Sequence, residues 1–276
     1  MAMSLASKKV SLTVKAQKMS TATVNGRSRE EKHILKNAHG TVMVIGWMIF
    51  ASTGILFARY GRSLHIGNKQ KFLGESIWFQ GHRFILFLAT LATLLGFLLI
   101  LAEVNGEWIK LREGLTFVHS VLGGIIVCCA LLQVSMALFR CHPDSPFRFV
   151  YNWCHRATGF LAFLLSVPTI FIIIVKWKAN RAGLIVIMSL WSAWVLIIVV
   201  LLEIVRLYFS RMSPIAYSKE TREYELTNSN LPPTLMLQQT EETHNRLPNN
   251  IILMLFFVHM IVAIALSIPL IVLIWN

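Results

Sequence analysis

Acidic side chains are scarce in this chain. It carries 13 Asp and Glu against 26 Lys and Arg among 276 residues, and charged residues of both signs make up only 14%. Long tracts hold no charge at all: Thr41 to Ala58, Phe84 to Ala102, Leu115 to Phe139, Ala157 to Val175, Ala182 to Leu202 and Ile251 to Trp275. With no carboxylate inside them, and no pair of broken helices, the pattern of an ion-coupled solute transporter is missing. Cysteine is scarce as well. Cys128, Cys129, Cys141 and Cys154 include no C-x-x-C pair, and no C-x-x-C-H run anchors a cofactor covalently. Cys128 and Cys129 fall mid-tract, where a thiol acts as a small apolar filler. The N-terminal stretch has no continuous apolar run of the signal-peptide kind, so none is expected. No stripe of aromatics alternates with basic residues, so the net charge of +13 does not point to nucleic acid. The basic residues sit instead in the N-terminal tail and in the connections between tracts, where membrane proteins keep them.

What the chain has in quantity is hydrophobic residues, 55% of the total. A helix needs about 20 apolar residues to cross the hydrocarbon core. Each of the six uncharged tracts meets that length within the usual tolerance, and a backbone in lipid must satisfy its own hydrogen bonds, so all six are expected to be helices. The expectation is an all-α polytopic membrane protein with six transmembrane helices, in the plasma membrane or an endomembrane. Residues 1–38 read as a flexible basic tail, 39–209 as a five-span core, 210–249 as a mobile loop and 250–276 as the sixth span. The loop reading rests on the mixture of prolines, acids and polar residues around Leu231-Pro232-Pro233 and Glu241-Glu242. Face X denotes the side on which the first span begins, and face Y the opposite side. More of the Lys and Arg residues close to the spans fall on Y, which favours Y as the cytoplasmic face.

Four histidines stand near the N-terminal ends of four successive spans: His39, His82, His119 and His155. Antiparallel threading places His39 and His119 toward X, and His82 and His155 toward Y. Histidine at such depth is costly in lipid and usually functional. Two histidines from separate helices with no Cys or carboxylate beside them form a poor zinc set. They suit a haem iron, whose two axial positions they fill, so that the iron passes electrons without binding oxygen. Two such sites in series, with irons about 15–20 Å apart, could carry an electron across the bilayer.

The neighbours of these histidines fit the same account. Gly123 follows His119 by four residues, and Gly159 follows His155 by four, on the same helix face. A missing side chain there leaves a flat slot for a porphyrin, although close helix packing in membranes uses glycine too. Gly40 and Gly81 adjoin His39 and His82. Arg83 and Arg156 each directly follow a Y-face histidine, suited to haem propionates or equally to ordinary cytoplasmic flanking. Lys71 and Arg148 lie nearby on Y, and Lys110 and Arg112 precede His119 on X with Glu107 and Trp108; these four are candidate substrate contacts. His259, inside the last span, has no similarly placed partner and is expected to make an interhelical hydrogen bond.

The runs His39-Gly40-Thr41-Val42-Met43-Val44-Ile45-Gly46-Trp47-Met48, Phe79-Gln80-Gly81-His82-Arg83, His119-Ser120-Val121-Leu122-Gly123 and Tyr151-Asn152-Trp153-Cys154-His155-Arg156 strongly resemble the cytochrome b-561 transmembrane domain. The likeness is strongest to the ferric-chelate reductase branch, in which that domain follows a DOMON domain. It covers about Lys36 to Leu207, and no DOMON region is expected in this sequence. The resemblance implies a four-helix haem-binding core with two b haems (heme b). It implies a transmembrane oxidoreductase that moves electrons from cytosolic ascorbate to an outside acceptor, ferric iron in a chelate or monodehydroascorbate. Family topology puts the first and third histidines on the non-cytosolic side, in keeping with Y as cytoplasm. The expected partners are the donor, the acceptor and membrane lipid; a homodimer is compatible with the reading and nucleic acid is not. The alternative is a haem-binding membrane subunit or scaffold without catalysis, which would not require all four ligands.

Overall fold

The computed structural model describes residues 30–61, 71–72, 75–142, 144–177, 179–227 and 233–276. Among the described residues six helical spans are long and apolar enough to cross a membrane: α1 Glu30–Tyr60, α2 Ile77–Glu103, α3 Leu115–Leu138, α4 Arg148–Lys176, α5 Arg181–Phe209 and α6 Asn250–Trp275. A short antiparallel ribbon, β1 Lys71–Phe72 and β2 Glu75–Ser76, precedes α2 with Lys71 paired to Ser76. On face X, α2 ends in two consecutive left-handed residues, Asn105 and Gly106. The Gly106 N–H donates to the Leu101 carbonyl at 2.9 Å, which closes the last turn.

Two expected boundaries shift. The basic tail was expected to reach residue 38, but α1 begins at Glu30. Glu, Lys and Leu are good helix formers and extend the span by about two turns into the polar zone. Residues 1–29 lie outside the described residues. The mobile loop expected over 210–249 is largely helical backbone: the helix of α5 continues to Thr227, and that of α6 starts at Pro233. The charged stretches there are rich in straight-chain residues such as Lys219, Glu220, Glu241 and Glu242, which lose little rotamer freedom in a helix. Pro233 suits the first helical position, where its missing N–H has no partner to lose.

The helix α1 is the hub. Half of its apolar window is buried, against 17% to 28% for the other five. One cluster joins Trp47 and Ala51 of α1 to Ala89, Ile126 and Ala162 of α2, α3 and α4. Two more join it to α5 and α6: Val44 and Met48 with Leu184, Met188, Trp191, Leu270 and Ile274, and Leu56 and Tyr60 with Ile198, Leu202, Ile252 and Phe256. Many other apolar side chains, such as Phe84, Leu98, Phe160 and Leu196, point outward. Outward-facing Leu and Phe are costly in water and at home in lipid tails.

Close approach of α1 and α2 depends on glycine. A Cβ on Gly54 would fall 2.5 Å from Leu86 Cδ2, and one on Gly96 would fall 2.6 Å from Met43 Cε. Small residues at such contacts let membrane helices meet through dispersion and backbone proximity.

Inside α1 the residues Ile45–Ala51 form a π-helical stretch. Such stretches are rare, and their wider turn alters the helical register.

Candidate functional site

Four helices of the bundle, α1 to α4, each contribute one of the four histidines, and the structure sorts them into two couples. The rings of His39 and His119 lie 6.2 Å apart between centroids, at 80° to one another. Those of His82 and His155 lie 6.5 Å apart at 81°. All four are partly buried.

Three of the rings are oriented by the backbone of a neighbouring helix. His39 Nδ1 lies 2.7 Å from the Gly96 carbonyl oxygen on α2, and His82 Nδ1 lies 3.1 Å from the Gly54 carbonyl oxygen on α1. His119 Nδ1 lies 2.9 Å from the Thr169 carbonyl oxygen on α4. A carbonyl only accepts, so Nδ1 carries the hydrogen in each, and Nε2 is left with its lone pair. This is the arrangement that fixes a metal-ligating imidazole. His155 is held differently. Its Nδ1 is buried with no hydrogen-bond partner, and its ring is stacked parallel to Tyr151, 6.2 Å between centroids and 3° between planes. The Tyr151 hydroxyl in turn donates to the Met136 carbonyl on α3. The backbone beside His155 is anchored by Gln133 of α3, whose Nε2 donates to the His155 carbonyl at 2.9 Å and also bonds the Thr158 hydroxyl.

The donor set fits haem. A metal–imidazole bond of about 2 Å and a ring radius of about 1.2 Å on each side would set the centroids of two imidazoles sharing one iron about 6.4 Å apart. Both couples match that separation. Among the described residues no cluster of three or more His, Cys, Asp or Glu could hold a bare metal ion. The glycines divide between the two roles weighed for them. A Cβ on Gly123 would meet nothing within 4 Å, so the face beside His119 is open. At Gly159 the Gln133 amide lies 3.5 Å from such a Cβ. Gly81 and Gly40 serve helix packing: a Cβ on Gly81 would fall 2.9 Å from Phe57, and one on Gly40 would fall 3.5 Å from Ile274. A cavity of about 70 Å³ lies between the four helices, lined by Trp47, Leu86, Thr93, Ala130, Gln133 and Gly159 among others.

The basic residues ring the two ends of this core. On Y, Arg83 and Arg156 are exposed beside His82 and His155. The Arg83 guanidinium lies over the Phe79 ring at 5.7 Å, and Arg140 lies over the same ring at 4.4 Å. Arg148 donates to the Cys141 carbonyl at 2.6 Å and sits 5.4 Å from the Tyr151 ring. Lys71 belongs to β1, but its side chain falls outside the described residues. On X, Lys110 and Arg112 are exposed, with Arg112 3.8 Å from Glu113. Trp108 from the same connection rests against α3, 3.4 Å from a Cβ placed on Gly124.

Sequence reasoning missed Gln133, Tyr151, Arg140 and the three carbonyls. The carbonyls belong to residues whose identity carries no donor or acceptor signal. Tyr151 was recoverable: it precedes His155 by four residues and so shares its helix face.

A family model described as eukaryotic cytochrome b561 matches residues 38–180, which include all four histidines. Ferric-chelate reductase 1 of Mus musculus is 36% identical over 138 residues, 50% of this chain and 22% of its own length. Ferric-chelate reductase 1 of Homo sapiens is 33% identical over 139 residues, again 50% and 22%. A cytochrome b561 and DOMON domain-containing protein of Arabidopsis thaliana is 28% identical over 137 residues, 50% of this chain and 33% of its own length. The chain spans about a quarter of the length of the first curated relatives it matches. No solved structure matches. Six apolar helices of spanning length and a family match over half the sequence lead to one conclusion: this is an integral multi-pass membrane protein that belongs to the eukaryotic cytochrome b561 family.

Proposed function

We propose that this chain carries electrons across a membrane, with one b-type haem held between His39 and His119 and another between His82 and His155. The observation that carries the reading is the presence of two histidine couples toward opposite ends of one helical bundle, each at the separation of an axial ligand pair. Haem held by these histidines would supply reversible one-electron chemistry. The chain's part is to hold and orient. The carbonyls of Gly96, Gly54 and Thr169 keep Nε2 of three histidines free to ligate. The open face at Gly123 leaves room for a flat ring, whereas Gly159 beside His155 faces the Gln133 amide. Arg83 and Arg156 are placed to neutralise propionates on Y.

The donor is a small cytosolic reductant of the ascorbate class, met on Y near Arg148 and Lys71. The acceptor is a ferric chelate, met on X near Lys110 and Arg112. The name of the relatives, ferric-chelate reductase, supports iron at that end. The excess of basic residues on Y supports Y as cytoplasm. In that orientation a negative-inside potential favours the transfer by about 2.3 kcal/mol per charge per 100 mV.

The test uses purified protein in vesicles with ascorbate trapped on the Y side and an impermeant ferric chelate on the X side. Two haems per chain, ferric reduction outside, and one haem fewer in His82→Ala and in His119→Ala are expected. A wild-type chain without two redox-active haems sinks the reading; two haems without ferric reduction indicate a scaffold instead.

A further inference from the structure

Gly54 follows His39 by fifteen residues, and Gly96 follows His82 by fourteen. These residues make two reciprocal contacts between the antiparallel helices α1 and α2, each histidine reaching the glycine carbonyl of the other helix. Both helices must therefore present their histidine and their glycine to the same neighbour. In an α-helix of about 100° per residue, fourteen residues return to within about 40° of the starting face, whereas fifteen overshoot it by about 60°. The two helices differ by one residue, and α1 contains the device that absorbs one: the π-helical stretch Ile45–Ala51 lies between His39 and Gly54. A π turn spends an extra residue on its rotation. With it, α1 faces α2 at both ends.

The π stretch is held from outside the four-helix core. The Met48 carbonyl within it accepts from Trp191 Nε1 of α5 at 3.2 Å and from the Ser52 hydroxyl at 2.7 Å. His259 Nε2 of α6 lies 3.1 Å from the same Ser52 oxygen. With the Ser52 hydrogen directed to Met48, His259 Nε2 is the donor. None of Met48, Ser52, Trp191 and His259 is more than 2% exposed. In a low-dielectric interior such bonds are not exchanged for water, so they bias the backbone they hold.

We propose that Trp191, Ser52 and His259 are positioning residues for the histidine couples: they clamp the π turn of α1 and thereby set the angles of His39 and of the Gly54 carbonyl that orients His82. This gives α5 and α6, which supply none of the four histidines, a part in the electron-carrying site. The proposal rests on the haem reading above.

The test compares Trp191→Phe, Ser52→Ala, Ser52→Thr and His259→Gln with the wild-type chain. It reads haem content, the midpoint potentials, and the low-spin electron paramagnetic resonance signals, which respond to the angle between the two axial imidazole planes. Full haem content with displaced signals and shifted potentials is expected in Trp191→Phe and Ser52→Ala, and restoration toward wild type in Ser52→Thr, which keeps the hydroxyl. Full haem content with unchanged signals and potentials in both overturns the proposal. So does failure of all the variants to retain haem, since that marks a general packing role. Absence of both haem signals from the wild-type chain refutes the haem reading itself and is thereby told apart from failure of the clamp.

Discussion

His39 and Gly96 are joined across α1 and α2 by a hydrogen bond of 2.7 Å, and His82 and Gly54 repeat it in the opposite sense at 3.1 Å. Each glycine has two duties in this arrangement. Its bare Cα lets the helices approach, and its carbonyl fixes the imidazole that approach brings near. The two duties link helix packing to imidazole orientation, so a packing change at the glycine must reach the histidine couples.

Gly54→Val tests that link. The new side chain meets Leu86, already 2.5 Å from an added Cβ. Overpacking of this kind costs about 1–3 kcal/mol. Separation of α1 from α2 at this level removes the carbonyl from His82, while the His39–Gly96 contact lies toward the other face. Haem content is expected to fall from two per chain toward one, with the remaining centre assigned to His39 and His119. Retention of both centres at unchanged potentials counts against the link.

Gly123→Leu separates cofactor space from protein packing. Among the described residues no atom of a neighbouring helix lies within 4 Å of a Cβ added there, so the position opens onto space and not onto a packed partner. Helical content and thermal midpoint without haem are expected to stay at wild-type values. Haem at the His39/His119 couple is expected to drop several-fold. Full haem loading of this variant, measured by pyridine haemochrome, places the porphyrin elsewhere.

Much of this architecture is legible before any coordinates. Six uncharged tracts fix six helices, because length and charge exclusion in lipid are local properties of the chain. The couples His39/His119 and His82/His155 follow from counting spans, since alternate threading puts odd and even helices head to tail. His259 was expected to bond between helices, and it does, to Ser52. The orienting carbonyls were not legible, because every residue has one. The π stretch of α1 was equally hidden in its own sequence; only the comparison of two spacings, fifteen residues against fourteen, exposes it. The helical backbone to Thr227 was missed because proline and acidic residues read as loop, although Glu, Lys and Arg favour a helix.

Among the described residues Tyr151 is the one ring stacked on a histidine of the core, and His155 is the histidine whose Nδ1 has no hydrogen-bond partner. Tyr151→Phe removes the hydroxyl bond to Met136 and keeps the stacked face, so a small effect on the His82/His155 centre is expected. Tyr151→Leu removes the face, freeing the His155 ring to rotate. A displaced potential at that centre and partial haem loss are expected, with the His39/His119 centre unchanged. Equal behaviour of the two variants in a redox titration shows that the hydroxyl, not the ring, is what matters.

Glu203 ties the Y end of α1 to α5. Its carboxylate accepts from Arg59 at 3.2 Å and from the Tyr60 hydroxyl at 3.0 Å, and it pairs with Arg206 one turn on. Arg59 is 58% exposed along its side chain, so its share of the attraction is weakened by solvent. Tyr60 is fully buried; its hydroxyl donates to Glu203, has the more distant Val199 carbonyl at 3.4 Å as a second acceptor, and accepts from Arg59 Nε at 3.3 Å. Glu203→Leu removes the closer acceptor of that hydroxyl and leaves it the Val199 carbonyl, at a cost of about 0.5–1.5 kcal/mol. Glu203→Gln keeps an acceptor and is expected to cost less than half as much. A lower thermal midpoint in detergent is therefore expected for Leu than for Gln, and the double variant Tyr60→Phe with Glu203→Leu should recover part of the loss. Equal midpoints for the Leu and Gln variants would show that the carboxylate holds α1 through the arginines rather than through Tyr60.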